Sequence, residues 1–207
     1  MAVSQKQRDR CIRIRDKARE LFGRPNVGNC ESLAQLIEWA FDEFEDVYFG
    51  TFNNDEETFV EDFGLVLTER SEWVIFDRSE DQDLYLGFVS DSCFSWVYTD
   101  GSNQVRHFWG YVMMGFQYGQ RATTLATLRE ALPPEPEDAA LGVVGNYIGS
   151  GLDGGLAYIP GTPFLTLEYG VSLKTVPKLI RAMLCKGENC FESSNESNEN
   201  EEAEEGD

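Results

Sequence analysis

The chain has 207 residues, 42% hydrophobic and 13% aromatic, and a formal net charge of −20. That is enough apolar chain for one core of ordinary domain size, so residues 1–185 are read as a single globular domain. The charge is uneven, with a net +5 over residues 1–24, −9 over 188–207 and −16 over the body between them. An acidic body repels nucleic-acid phosphates and anionic lipid, which excludes direct nucleic-acid binding by the body and a membrane-surface role. A protein partner remains, and a basic one is suited by charge.

Residues 4–22 predict a basic amphipathic helix with Cys11, Ile14, Ala18, Leu21 and Phe22 on one side, stopped by Gly23 and Pro25. Its seven Lys and Arg from Lys6 to Arg19 are read as lying against the protein's own acids, since Asp9, Asp16 and Glu20 interrupt them. Asn29 is the expected cap of a second helix of about seventeen residues, with Leu33, Leu36, Ile37, Ala40, Phe41 and Phe44 as its apolar stripe. A third is expected from Asn54, with Glu57 completing a capping box, through Phe59, Val60, Phe63, Val66 and Leu67. The runs 73–76, 84–89 and 93–98 are short, aromatic and β-branched, and predict a small extended or β region near 73–98.

The segment 99–119 carries the chain's one histidine. Asp100, Ser102 and Asn103 are alternative caps for its helix. Val105, Phe108, Trp109, Val112, Met113 and Phe116 form one apolar stripe, and His107, Tyr111, Met114 and Tyr118 a second on nearly the opposite face. A helix apolar on two faces belongs inside the fold, so 103–119 is read as the buried centre of a mainly α, multi-helix domain. Another helix is expected at 122–132, ended by Pro133 and Pro134. The helix at 138–152 carries Gly142, Gly145 and Gly149 on one face. Such a row calls for very close packing on another helix, with 103–119 expected to meet it through Gly110. A strand is expected at 164–167, and a last helix from Thr175 with Pro177 in its first turn. From 186 the composition is Ser, Asn, Glu and Asp, which predicts a disordered acidic tail.

Two constellations carry candidate chemistry. Cys30 opens the second helix, where the helix dipole favours a thiolate, and His107 would be its proton partner. Alternatively, His107 works with a carboxylate from Glu130, Glu137, Asp138 or Asp100 as a general acid or base. The bland reading, a core histidine satisfied by one hydrogen bond, is preferred to both. No metal site is expected, because Cys185 and Cys190 have no second pair and no second histidine to complete it. No cofactor is expected either, because the glycine row lacks the G-x-G opening and no phosphate-binding loop is present. Five scattered cysteines and no apolar N-terminal run point to free thiols and a cytoplasmic setting. The function expected from these features is a soluble acidic interaction module. A small hydrolase using His107 with a carboxylate or Cys30 is the alternative, and a nucleic-acid mimic that blocks a basic protein is the third.

Overall fold

In the computed structural model, the described residues are 3–24, 27–50, 55–68, 82–90, 93–98, 103–119, 136–153, 157–158, 166–167 and 171–186. Helix α1 (Gln5–Phe22) starts where the Ser4 hydroxyl accepts from the Gln7 N–H at 3.2 Å, and it buries Cys11, Ile14, Ala18 and Leu21. Its outer face is neutralised from within the protein. Arg8 pairs with Asp83, Arg13 with Glu43, Arg15 with Asp16 at 2.9 Å and Lys17 with Glu20 at 2.7 Å. The basic helix lies on the chain's own acids, as its interrupted charge pattern predicts.

Helix α2 (Asn29–Glu43) buries the predicted stripe, but Gly28 is the N-cap, and Asn29 is inside the helix. Its side-chain amide instead donates to the Ser90 carbonyl at 2.9 Å and to the Ser90 hydroxyl at 2.8 Å, tying α2 to a loop sixty residues away. The helix is shorter than expected, because Phe44 (φ −125°, ψ 36°) breaks it before the single turn of α3 (Glu45–Tyr48). Helix α4 (Asp55–Thr68) buries Phe59, Val60, Phe63, Val66 and Leu67. Asn54, its expected cap, lies outside the described residues.

Helix α5 (Gln104–Tyr118) is capped by Asn103, whose side-chain oxygen accepts from the Arg106 N–H at 3.2 Å. Trp109 and Phe108 are fully enclosed. The Trp109 ring lies 5.5 Å from Phe59 and 5.0 Å from Phe63, within the aromatic cluster that also takes in Phe41 and Tyr48. Helix α6 (Pro136–Leu152) begins on a proline, whose missing N–H costs nothing in a first turn. Leu173–Thr175 forms a 3₁₀ turn leading into α7 (Val176–Met183), which buries Val176, Pro177 and Ile180. The fold is mainly α, and among the described residues no helix is long and apolar enough to cross a membrane.

Of the small extended or β region expected near 73–98, no strand is shown among the described residues. Its described part holds two 3₁₀ turns, Gln82–Leu84 and Trp96–Tyr98, and one isolated bridge, Phe94 to Cys185. Gly87 at φ 99° turns the backbone out of any strand path, and Leu84, Val89 and Phe94 enter the core as single plugs. The strand expected at 164–167 is only a two-residue pairing, β1 (Ala157–Tyr158) with β2 (Thr166–Leu167). The expected strand at 73–76, the helix at 122–132 and the tail beyond 186 lie outside the described residues.

The glycine row does pack on α5, but it meets Phe108, Tyr111, Val112 and Phe116, not Gly110, and Gly115 of α5 meets Asn146. A Cβ on Gly145 would stand 2.6 Å from the Tyr111 Cβ and 2.9 Å from the Phe108 carbonyl oxygen. One on Gly142 would stand 3.1 Å from the Tyr111 ring, and one on Gly115 would stand 2.5 Å from the Asn146 carbonyl oxygen. The contacts advance in the same direction along both helices, so α5 and α6 run parallel. Gly110 has nothing within 4 Å of its Cβ position. Gly149→Ala, whose Cβ would strike the Val112 carbonyl, is therefore expected to lower the unfolding free energy by about 1–3 kcal/mol. Gly110→Ala should raise it by about 0.5–1 kcal/mol, because only the helix-propensity gain remains. Urea denaturation of the two variants checks the pair.

Candidate functional site

The parallel seam sets the position of the histidine. His107 is in the first turn of α5 and Asp138 in the first turn of α6, so the two helix starts lie level. The His107 Nδ1 lies 2.9 Å from the Asp138 Oδ1 and 2.8 Å from its Oδ2. A carboxylate only accepts, so Nδ1 carries the proton shared with Asp138, and the ring is held in one orientation. The Asp138 side chain is 4% exposed and that of His107 is 35% exposed. A carboxylate at the start of α6 is also favoured by the positive end of that helix. An imidazole fixed by a buried carboxylate is the base-and-orienter half of a hydrolytic triad, and equally a well-satisfied structural pair.

Of the residues expected at the site, the structure brings His107 and Asp138 together. Glu137 is half-buried beside Asp138 on α6, and Glu130 and Asp100 lie outside the described residues. Cys30 is a correction. Its sulfur is joined to Cys185 across a separation of 155 residues, so it has no thiolate to offer and the Cys30–His107 dyad is overturned. Cys93 is disulfide-bonded as well, and Cys11 is a buried thiol. The expectation of free thiols fails for Cys30, Cys93 and Cys185, and cysteine usage no longer argues for a reducing compartment. A cross-link closing so long a loop contributes about 5 kcal/mol in chain-entropy terms. Among the described residues, no group of three His, Cys, Asp or Glu could hold a metal ion.

A second polar cluster was not foreseen. Asp62, on the buried face of α4, is fully enclosed and accepts from the Arg10 Nε at 2.7 Å and from the Tyr48 hydroxyl at 2.9 Å. Burial alone would lower the pKa of the Arg10 guanidinium, but hydrogen bonding to Asp62 and the Asp62 charge carry it above its ordinary value. Burial, reinforced by the Asp62 charge, pushes the Tyr48 phenol well up. The signal was present in the sequence: a carboxylate three residues after Phe59 and one before Phe63 falls on an apolar stripe, where it needs a cation.

At the end of α2 and in α3, the carboxylates are arranged differently. Asp42, Glu45 and Asp46 are exposed, and among the described residues no cation lies within ion-pair distance of them. Farther back on α2, Arg181 spans Glu31 at 2.8 Å and Glu38 at 2.5 Å. Its hydrogen bonds hold the Glu31 carboxyl below the ordinary carboxylate range.

Asp138→Ala removes the hydrogen bond between His107 and Asp138 and is expected to cost about 1.5–3 kcal/mol of stability, the range for a hydrogen bond to a charged group. His107→Gln should cost less, since an amide N–H can still reach Asp138. Equal stability of the parent and Asp138→Ala in urea titrations would show that the pair contributes nothing. No protein-family model, curated protein or solved structure matches the chain.

Proposed function

We propose that the chain is an acidic interaction domain that docks a basic protein surface at the end of α2 and in α3. One observation carries this reading. Arg8, Arg10, Arg13, Arg15, Lys17 and Arg19 of α1 are paired to carboxylates of the same chain, while Asp42, Glu45 and Asp46 stand exposed with no cation near them among the described residues. Exposed like charges on one short stretch repel each other. A lysine- or arginine-rich surface relieves that repulsion, and the field of a −20 chain steers it in. A ten-residue oligolysine peptide serves as the probe. Replacing the patch by Asp42→Asn, Glu45→Gln and Asp46→Asn together should weaken its binding about five- to tenfold at low salt, at about 0.3–0.5 kcal/mol per charge. Binding by the triple variant as tight as the parent's would overturn the assignment of the patch.

A second reading rests on the His107–Asp138 geometry. An imidazole oriented by a buried carboxylate and itself a third exposed can take a proton from water or a hydroxyl. Turnover of an activated ester by the parent, lost in His107→Gln with the fold intact, would favour a hydrolase over an interaction domain.

A further inference from the structure

The two sulfurs of the Cys30–Cys185 bond are not equivalent. Cys30 is fully enclosed, in the first turn of the 15-residue helix α2, where unpaired backbone N–H groups favour negative charge. Its neighbour Glu31, which would oppose a thiolate there, has its charge taken up by Arg181. Cys185 is half-buried, two residues beyond the end of α7. We propose that this bond is a redox latch on α7, opened by a dithiol that attacks the Cys185 sulfur and expels Cys30.

The exchange balances in two steps. The thiolate of the dithiol forms a bond to the Cys185 sulfur as the Cys30–Cys185 bond breaks, and the bonding pair leaves on Cys30. The second thiol of the reductant, deprotonated, then closes onto the first, and Cys185 leaves as a thiolate. The dithiol ends as a cyclic disulfide, having given up two electrons, and two protons end on Cys30 and Cys185. The less buried of the two cysteines is the one an incoming thiolate reaches, and the helix start offsets part of the cost of leaving a thiolate on the enclosed Cys30.

The rest of the seam is weak enough for the bond to decide whether α7 stays docked. An eight-residue helix is below the length that stands alone in water. Its ion pairs join side chains 34% to 47% exposed, where solvent screens them. Among the described residues, Leu173, Val176, Pro177, Ile180 and Leu184 are buried on this side, and Val171, Leu179 and Met183 pack there half-buried. Backbone hydrogen bonds run from Ser95 to Leu184, from Lys186 to Cys93 and from Val171 to Gly151. Undocking also withdraws the Arg181 guanidinium from Glu31 and Glu38.

Two measurements on the full chain test the latch. The oxidised protein is incubated with glutathione, quenched in acid and mapped by peptide mass. The mixed disulfide is expected on Cys185, and an adduct on Cys30, or on neither, overturns the proposal. Hydrogen exchange is then compared between the parent and Cys30→Ala/Cys185→Ala, which leaves the bond at Cys93 in place. Exchange over 176–184 is expected to speed up about tenfold or more beyond any rise that 104–118 and 136–152 share through loss of the loop constraint. Equal exchange at 176–184 would show that apolar contacts hold the helix without the bond. A loss of protection equal over all three stretches would show a staple for the whole fold, and either result rejects the latch.

Discussion

The close approach of α5 and α6 is the constraint on which the centre of this molecule depends. Glycines at 142, 145 and 149 on one side and at 115 on the other let two backbones meet where any Cβ would collide with a carbonyl or a ring. Parallel helices gain nothing from their dipoles, which here lie side by side with like ends together. Dispersion over a tightly fitted surface has to supply the attraction, and such attraction falls steeply with even a small gap. The same fit levels the two helix starts, so the first turn of α5 presents its imidazole to the first turn of α6. The His107–Asp138 pair is in this sense a product of backbone packing. Its geometry holds only as long as the glycines hold the helices together.

Around that seam, buried charge fixes how the outer helices turn. Asp62 is enclosed and takes hydrogen bonds from Arg10 on α1 and Tyr48 on α3. A rotation of α1 by one residue would carry Arg10 about 100° away and leave a carboxylate in the core without its cation. Removing one partner of such a pair is strongly unfavourable, even where the pair itself adds little net stability. The network therefore selects one setting of α1 among the several that its apolar stripe would allow. The remaining cations of α1 lie over surface acids, where each contributes little alone.

Much of this was legible in the residues. The helical stripes of α1, α2, α4 and α5 name most of the side chains that the structure buries, but Phe22, Met113 and Phe116 are half-buried and Tyr118 at the end of the second α5 stripe is exposed. The glycine row announced close packing, and α5 was its evident partner. The sequence named the wrong contact, Gly110, because nothing local indicates that the second helix runs parallel and meets the face of α5 that carries Phe108, Tyr111, Val112 and Phe116. Asn29 was misread for a similar reason. As an N-cap candidate it fits the local rules, but a serine sixty residues away takes its amide. His107 and Asp138 were each named, but their pairing rests on a register that no periodicity encodes. The disulfides were the largest miss. Spacing along the chain carries no information on which sulfurs meet, and a bond spanning 155 residues has no local signature at all.

The bond between Cys30 and Cys185 turns most of the polypeptide into a closed ring. A nick by a protease anywhere between these residues opens one peptide bond without dividing the molecule. The two pieces stay joined until a reductant is added, and under non-reducing conditions a cleaved chain keeps the mass of the intact one plus a single water. The ends exposed at the cut also remain close to each other, because the rest of the ring still ties them to one body. For this domain, integrity under proteolysis is thus decided by a sulfur–sulfur bond and not by the continuity of the main chain.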